Sequence, residues 1–258
     1  MTDQGLPGIA GHRAIVTGAA GGIGAAAARR LVRERASVAL IDVDAARLTA
    51  TTKALGPAAI GIVADLSVAE EVERVVREAE ERLGPVDLLY NNAGILGTAK
   101  AIWETAPEDF DRVVGLNARA TFLFMRAFLA RCVADGRTGS IVNCSSTAGS
   151  RGLSGFAPYC ASKQAILGMT RTAAVEAGPH GIRVNAICPG RVDTPMVSSF
   201  VAAAADRPSG DASPVAGRPI SRPATADEVA NLVVWLLSAE ASYATGGVYA
   251  IDGGQTAA

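Results

Sequence analysis

Ala14-Ile15-Val16-Thr17-Gly18-Ala19-Ala20-Gly21-Gly22-Ile23-Gly24 runs a short apolar segment straight into four glycines within seven residues. The apolar triplet reads as a buried strand, and the alanine-rich stretch at 22–35 as a helix. A glycine-rich turn between strand and helix has a specific use. Glycine lets the backbone turn sharply and come close to a ligand. The unpaired N–H groups and positive end of the helix then face an anion such as a pyrophosphate. The glycines placed to do this are Gly18, Gly22 and Gly24, with Ile23 between the last two, a spacing different from G-x-G-x-x-G.

Working outward, apolar runs alternate with helix-period segments to the end of the chain. Strands are expected at 37–41, 60–63, 86–90, 140–144, 182–187 and 247–251. Helices are expected at 45–55, 68–83, 158–178 and 225–238, and 107–134 holds one long helix or two stacked ones. This alternation predicts an α/β chain: a single Rossmann-type doubly wound domain over 1–258, with about seven parallel strands, helices on both faces and right-handed crossovers. One stretch is irregular, 197–222, with Pro208, Gly210, Pro214, Gly217 and Pro219. Loops beyond the carboxyl ends of the strands form the ligand crevice of such sheets. The segment at about 195–222 is therefore read as a substrate lid, with a mere surface insertion as the alternative.

The formal net charge of −1 over 258 residues argues against nucleic acid or an anionic membrane as the main partner. No uninterrupted apolar run approaches the ~18 residues of a membrane helix, and the N-terminus lacks the pattern of a signal peptide. A cytoplasmic protein is expected. Cys132, Cys144, Cys160 and Cys188 show no C-x-x-C spacing and read as free thiols, and His12 and His180 lie far apart, so no metal site is expected.

Asp42 ends the second strand about twenty residues after the glycine turn. A carboxylate there accepts hydrogen bonds from adenosine ribose hydroxyls and repels a 2′-phosphate. No Arg or Lys stands at Ala19, Ala20, Gly21, Val43 or Asp44 to offset that repulsion. NAD is thus expected rather than NADP. The competing role for Asp42 is a helix cap, which Asp44 can fill as well. Asn91-Asn92-Ala93-Gly94 closes the fourth strand at the same sheet edge, with structural and cofactor-contact roles both open for the asparagines.

Tyr159 and Lys163 lie four residues apart on one helix face. A tyrosine with a pKa near ~10 is no base at neutral pH unless a nearby cation favours its phenolate. Such a pair can exchange a proton with an alcohol or alkoxide. Of 24 basic residues only Lys53, Lys100 and Lys163 are lysine, so a lysine at 163 stands out. Ser145 and Ser146 follow the fifth strand, where a hydroxyl could hold a substrate oxygen or simply form a turn.

With these residues in hand, the chain resembles the short-chain dehydrogenase/reductases along nearly its whole length. The resemblance is carried by Thr17 to Gly24, Asp65, Asn91 to Gly94, Asn117, Ser146, Tyr159 with Lys163, Asn185, and Pro189-Gly190 running to Thr194. It implies Tyr159 as general acid/base and Ser146, rather than Ser145, as the group polarising the substrate oxygen. It implies Lys163 on the nicotinamide ribose, lowering the tyrosine pKa, and Asn117 holding a relay water. Asp65 with Leu66 is implied near the adenine, and Asn92, Ala93 and Gly94 along the cofactor. Pro189, Gly190, Val192 and Thr194 are implied around the carboxamide. Hydride transfer on the B face and a homotetramer are implied as well.

By the same resemblance the substrate pocket comprises Ile95, Leu96, Ala148, Arg151, Arg191, Val192 and Met196. Most are apolar, which suits a hydrophobic alcohol or ketone. Arg191 is the exception. It reads either as an anchor for an acidic substituent or as an arginine that faces solvent or pairs with Asp193 or Glu240. The reading that follows is an NAD(H)-dependent oxidoreductase interconverting a secondary alcohol, cyclic or a diol among the candidates, and its ketone. Its rivals are an NADPH-dependent 3-oxoacyl-thioester reductase, a non-catalytic NAD-sensing protein, and a relative that dehydrates or epimerises.

Overall fold

The computed structural model describes residues 6–195 and 219–257. Met196 and most of the 195–222 segment lie outside them. Seven strands, β1 (Arg13–Thr17), β2 (Ser37–Asp42), β3 (Ala59–Val63), β4 (Leu88–Asn91), β5 (Gly139–Cys144), β6 (Ile182–Pro189) and β7 (Val248–Ile251), form one sheet. Their order is β3-β2-β1-β4-β5-β6-β7 and every pairing is parallel. The chain winds one way from β1 and the other way from β4, so the β1–β4 boundary is a topological switch point.

Strand alternation explains the layers. Ala14, Val16, Val38, Leu40 and Val142 face α1 (Gly22–Arg33) and α7 (Ala226–Leu237). Ile15, Ala39, Ile41, Leu89 and Ile141 face α3 (Ala69–Leu83), α5 (Ala120–Ala134) and α6 (Ala157–Ala177). Both faces are covered, which is why the strands read as unbroken apolar runs. Each fully buried Ile or Leu here contributes about 1.5–3 kcal/mol. The remaining helices are α2 (Ala45–Leu55), whose bounds match the expectation, and α4 (Pro107–Val114).

The differences from expectation have local causes. α1 stops at Arg33, and Arg35 turns the chain with φ 69°. β4 starts at Leu88, because Asp87 is drawn to the start of β1: its carboxylate accepts the Arg13 N–H at 3.3 Å. β6 continues to Pro189, whose register partner is Ile251, and so carries the chain directly into the crevice. Residues 107–134 form a single helix interrupted by a π turn at Gly115–Arg119. π turns favour functional positions, and this one contains Asn117. The 107–134 helix is long and apolar enough to cross a membrane by length and composition, yet half of its most apolar window is buried within the fold.

Two polar devices hold α7. Thr225 and Glu228 form a reciprocal capping box at its start. At its end Arg183 of β6 donates to four carbonyls, those of Leu236 (2.8 Å), Ala244 (3.2 Å), Leu237 (3.2 Å) and Ser238 (2.9 Å). These are the orphan acceptors of a helix C-terminus and the loop after it.

Candidate active site

The glycine turn has the geometry its sequence promised. Gly18 and Gly22 take φ 63° and 56°, a region that side chains avoid. A Cβ on Gly18 would sit 2.9 Å from Ala93 Cα, so β1 and β4 touch through that glycine. Gly24 is needed for space: its Cβ would fall on the Gly18 carbonyl oxygen and lie 2.7 Å from Asn92 Nδ2. The start of α1 has no side-chain cap and no acidic residue in its first turn. Its N–H groups are thus left for an anion, and the cradle fits the pyrophosphate of a dinucleotide.

Side chains around the turn fix its position. Thr17 Oγ1 accepts the backbone N–H groups of Asn92 (2.9 Å) and Ala93 (3.0 Å). Asn92 Nδ2 donates to the carbonyls of Thr17 (3.0 Å) and Gly18 (3.1 Å). Asn91 turns inward instead, donating to Asn143 at 2.9 Å, and is structural. Asp42 accepts the N–H of Ala20 at 2.9 Å and of Asp44 at 3.1 Å. The cap of α2 is Asp44, which accepts the Arg47 N–H.

A cavity of about 390 Å³ runs along the carboxyl edge of the sheet. Asp42, Asp44 and Arg47 line it beside β2, the glycine turn and Asn92 to Gly94 beside β1 and β4, Ser146 beside β5, and Pro189, Gly190, Arg191, Val192 and Thr194 beside β6. From β2 to β6 is four strand spacings, about 19 Å, a length suited to two joined nucleotides. Tyr159, Lys163, Leu96, Arg151 and Arg191 line it too. Gly24, Ile95, Asn117 and Ala148 are not part of the lining. Asp65 and Leu66 do not reach it: the Asp65 carboxylate accepts the hydroxyl (2.7 Å) and N–H (2.9 Å) of Ser67, and Leu66 is buried against the α3 face.

At the β5 end the two serines separate by partner. The Ser145 hydroxyl is buried and donates to the Lys163 carbonyl at 2.7 Å, a structural use. Ser146 lines the cavity and accepts the Ala148 N–H at 3.1 Å, and its hydroxyl lies close enough to the Tyr159 phenol to favour the phenolate. Lys163 is 3% exposed, donates to the Cys144 carbonyl at 2.7 Å, and holds its Nζ 5.6 Å from the centre of the Tyr159 ring. Asn117 is fully buried. Its side chain clamps the Ile95 backbone, accepting its N–H (2.8 Å) and donating to its carbonyl (2.9 Å), and also donates to Ser162 (3.0 Å). Both amide hydrogens are used there, so the side chain acts as a positioning group between Ile95 and α6.

One expectation needs correction. Without cofactor, the net shift of the Tyr159 phenol pKa is upward. Burial pushes it well above its ordinary value, the Ser146 hydrogen bond pulls it down, and the neighbouring thiols of Cys144, Cys160 and Cys188 push it up again. Burial likewise pushes the Lys163 ammonium down, with Cys144 and Cys188 acting against that shift. The physical reason is desolvation: both groups sit in the interior, and the charged form of each is disfavoured.

Arg47, Leu153 and Gln255 are among the lining residues that escaped the sequence reading. Arg47 lies one turn into α2, and its Nε is 3.4 Å from Asp44. Leu153 comes from the loop before α6, and Gln255 from a turn after β7 held by the Asp252 carboxylate. The Asp44-to-Arg47 spacing was a usable signal, whereas nothing in the C-terminal sequence marks Gln255. Arg191 is half-buried; its Nε is buried without a hydrogen-bond partner, and among the described residues it pairs with no carboxylate.

Comparison with known proteins bears on this site. A family model described as Enoyl-(Acyl carrier protein) reductase matches residues 18–256. The chain is 38% identical to 2-(S)-hydroxypropyl-CoM dehydrogenase 3 of Xanthobacter autotrophicus, over 94% of this chain and 95% of that protein. It is 36% identical to sorbitol dehydrogenase of Cereibacter sphaeroides, over 95% and 97%. The crystal structure of levodione reductase superposes with a TM-score of 0.91 at 37% identity, covering 96% of this chain and 99% of that one.

Proposed function

The chain belongs to the short-chain dehydrogenase/reductase family, and from that premise we propose that it is an NAD(H)-dependent oxidoreductase interconverting a secondary alcohol and its ketone. The observation that carries the proposal is the joint lining of one cavity by the uncapped start of α1 and by Ser146, Tyr159 and Lys163. Relatives named for sorbitol and for levodione support secondary carbinols, cyclic or in polyols, as the substrate class.

The residues divide the work. The N–H groups at Gly22, Ile23 and Gly24 and the Thr194 hydroxyl would hold the pyrophosphate and carboxamide. Lys163 would hold the nicotinamide ribose. Once bound, the nicotinamide carries the hydride and, when oxidised, places a positive charge near the phenol. Ser146 holds the substrate oxygen against the Tyr159 hydroxyl. Tyr159 takes the carbinol proton during oxidation and returns it during reduction. Burial raises the phenol pKa, so Tyr159 starts as a proton donor, and positive charge beside it would favour its service as a base. Asn117 keeps Ile95 and α6 in register with the cavity.

Asp42 supports NAD. Its carboxylate is fixed beside the Ala20 N–H at the adenosine end, where it would accept ribose hydroxyls and repel a phosphate. The NADPH-dependent thioester-reductase reading draws on Arg47 at the same end, but Asp44 already faces that guanidinium. A homotetramer and a cytoplasmic location complete the proposal. The test is initial-rate assay of secondary alcohols, cyclic diols, polyols and ketones, each with both cofactors. The proposal expects turnover with NAD(H) at least tenfold more efficient than with NADP(H). Absence of turnover on the whole panel, or a preference for NADPH, would count against it.

A further inference from the structure

Resting on the oxidoreductase reading, we propose that the substrate carries an anionic group, a carboxylate or similar planar oxyanion, and that Arg191 receives it with Gln255 alongside. Lining charges are distributed unevenly. The carboxylates Asp42 and Asp44 lie by β2, where Asp44 faces Arg47. Beside β5, α6 and β6 the charged lining groups are Arg151, Lys163 and Arg191, all cationic, with no carboxylate among the described lining residues there. Lys163 is committed to the Cys144 carbonyl and the phenol. Arg151 is exposed, which leaves Arg191, half-buried, with an enclosed Nε that has no acceptor among the described residues.

Arg191 is held in place from its backbone. Gly190 donates to the Ile251 carbonyl at 3.0 Å, and the Arg191 carbonyl accepts from Ala224 at 3.0 Å. Val192 and Ala224 form a parallel bridge. Gly190 also packs on the turn that bears Gln255, since a Cβ there would lie 2.8 Å from Asp252 Cα. The Arg191 Nε and the Gln255 Oε1 are both buried without partners, and both residues line the cavity. Buried polar atoms are seldom left unpaired unless something else completes them. A guanidinium presents a planar fork matched to a carboxylate. The substrate class is thus a hydroxy acid or oxo acid whose reacting carbon sits at Ser146 and Tyr159.

The experiment uses 3-hydroxybutanoate, 4-hydroxypentanoate and 5-hydroxyhexanoate, each beside its methyl ester, with NAD as cofactor. The proposal expects the acid to exceed its ester in kcat/KM by about tenfold at one chain length or more. Arg191→Leu should lower that acid-to-ester ratio by about thirtyfold, mainly through KM, and Arg191→Lys should recover part of it. NADH affinity, read by fluorescence, should move less than twofold. The same acids are titrated into the protein–NADH complex, which reports Arg191-dependent binding without turnover. Esters preferred at every length, a ratio insensitive to Arg191→Leu, or a tenfold loss of NADH affinity would overturn the proposal, the last by assigning the guanidinium to the cofactor. Arg191-dependent acid binding with no turnover of any compound would retain the anion site while removing the oxidoreductase reading. Turnover of esters alone would do the reverse.

Discussion

Adding one methyl group to Gly24 should unfasten the cofactor end of the protein. The new Cβ would fall on the Gly18 carbonyl oxygen and 2.7 Å from Asn92 Nδ2. Ordinary contact requires α1 to move away from β1 by about 1 Å. Such overpacking typically costs 1–3 kcal/mol. The Asn92 hydrogen bonds to Thr17 and Gly18, at 3.0 and 3.1 Å, would be strained or lost, at about 1 kcal/mol each. Gly24→Ala should therefore lose about 2–5 kcal/mol of stability by urea denaturation. Its helix N-terminus would also be displaced from the pyrophosphate. Loss of about 1.5–3 kcal/mol of charge-assisted bonding predicts a ten- to hundredfold weaker NADH Kd. Gly21→Ala is the internal control: its backbone is extended (φ −171°) and its Cβ would meet nothing within 4 Å. Its stability should change by less than about 1 kcal/mol. Wild-type NADH affinity in Gly24→Ala, or equal damage from both substitutions, would refute the reasoning.

Three further outcomes follow from the structure. Ser146→Ala should lower kcat by about a hundredfold with an unchanged melting temperature, whereas Ser145→Ala should retain most turnover and lose about 1–2 kcal/mol with the buried hydrogen bond to the Lys163 carbonyl; the opposite pattern would exchange their roles. Arg183→Leu should destabilise the fold by about 3 kcal/mol in a denaturant titration, because four hydrogen bonds to the end of α7 and the loop after it are lost together. Burial raises the Tyr159 phenol pKa, so its neutral form persists past the ordinary value near ~10. The 295 nm absorbance difference between wild type and Tyr159→Phe should therefore stay flat up to pH 10 without cofactor, and a step should emerge at lower pH once NAD is added. A step near neutrality without cofactor would contradict this.

The sheet was legible because each strand is buried on both sides, and apolar runs set against helix-period segments survive in the letters alone. Ends were less legible where a side chain, not a pattern, decides them: Asp87 delays β4, and Arg35 turns the chain after α1. The long 107–134 helix could be recognised but not its π turn, since no residue type marks an i→i+5 bond. The glycine turn, Asp42, Ser146, Tyr159 and Lys163 could be found because their chemistry constrains both residue type and spacing. Gln255 could not, since only the folded chain brings a C-terminal turn to the same crevice. The direction of the Tyr159 shift was misjudged for the same reason: spacing reveals a nearby ammonium, but desolvation depends on everything packed around it.

The most direct test of the account is hydride transfer by Tyr159→Phe, followed in a single turnover on a secondary alcohol with NAD. The phenol is the proton carrier in this account, so the rate should fall by about a thousandfold or more while NADH binds with near wild-type affinity. Retention of more than about a tenth of the rate would show that the proton leaves by another group, and the assignment of this cavity's chemistry would fall with it.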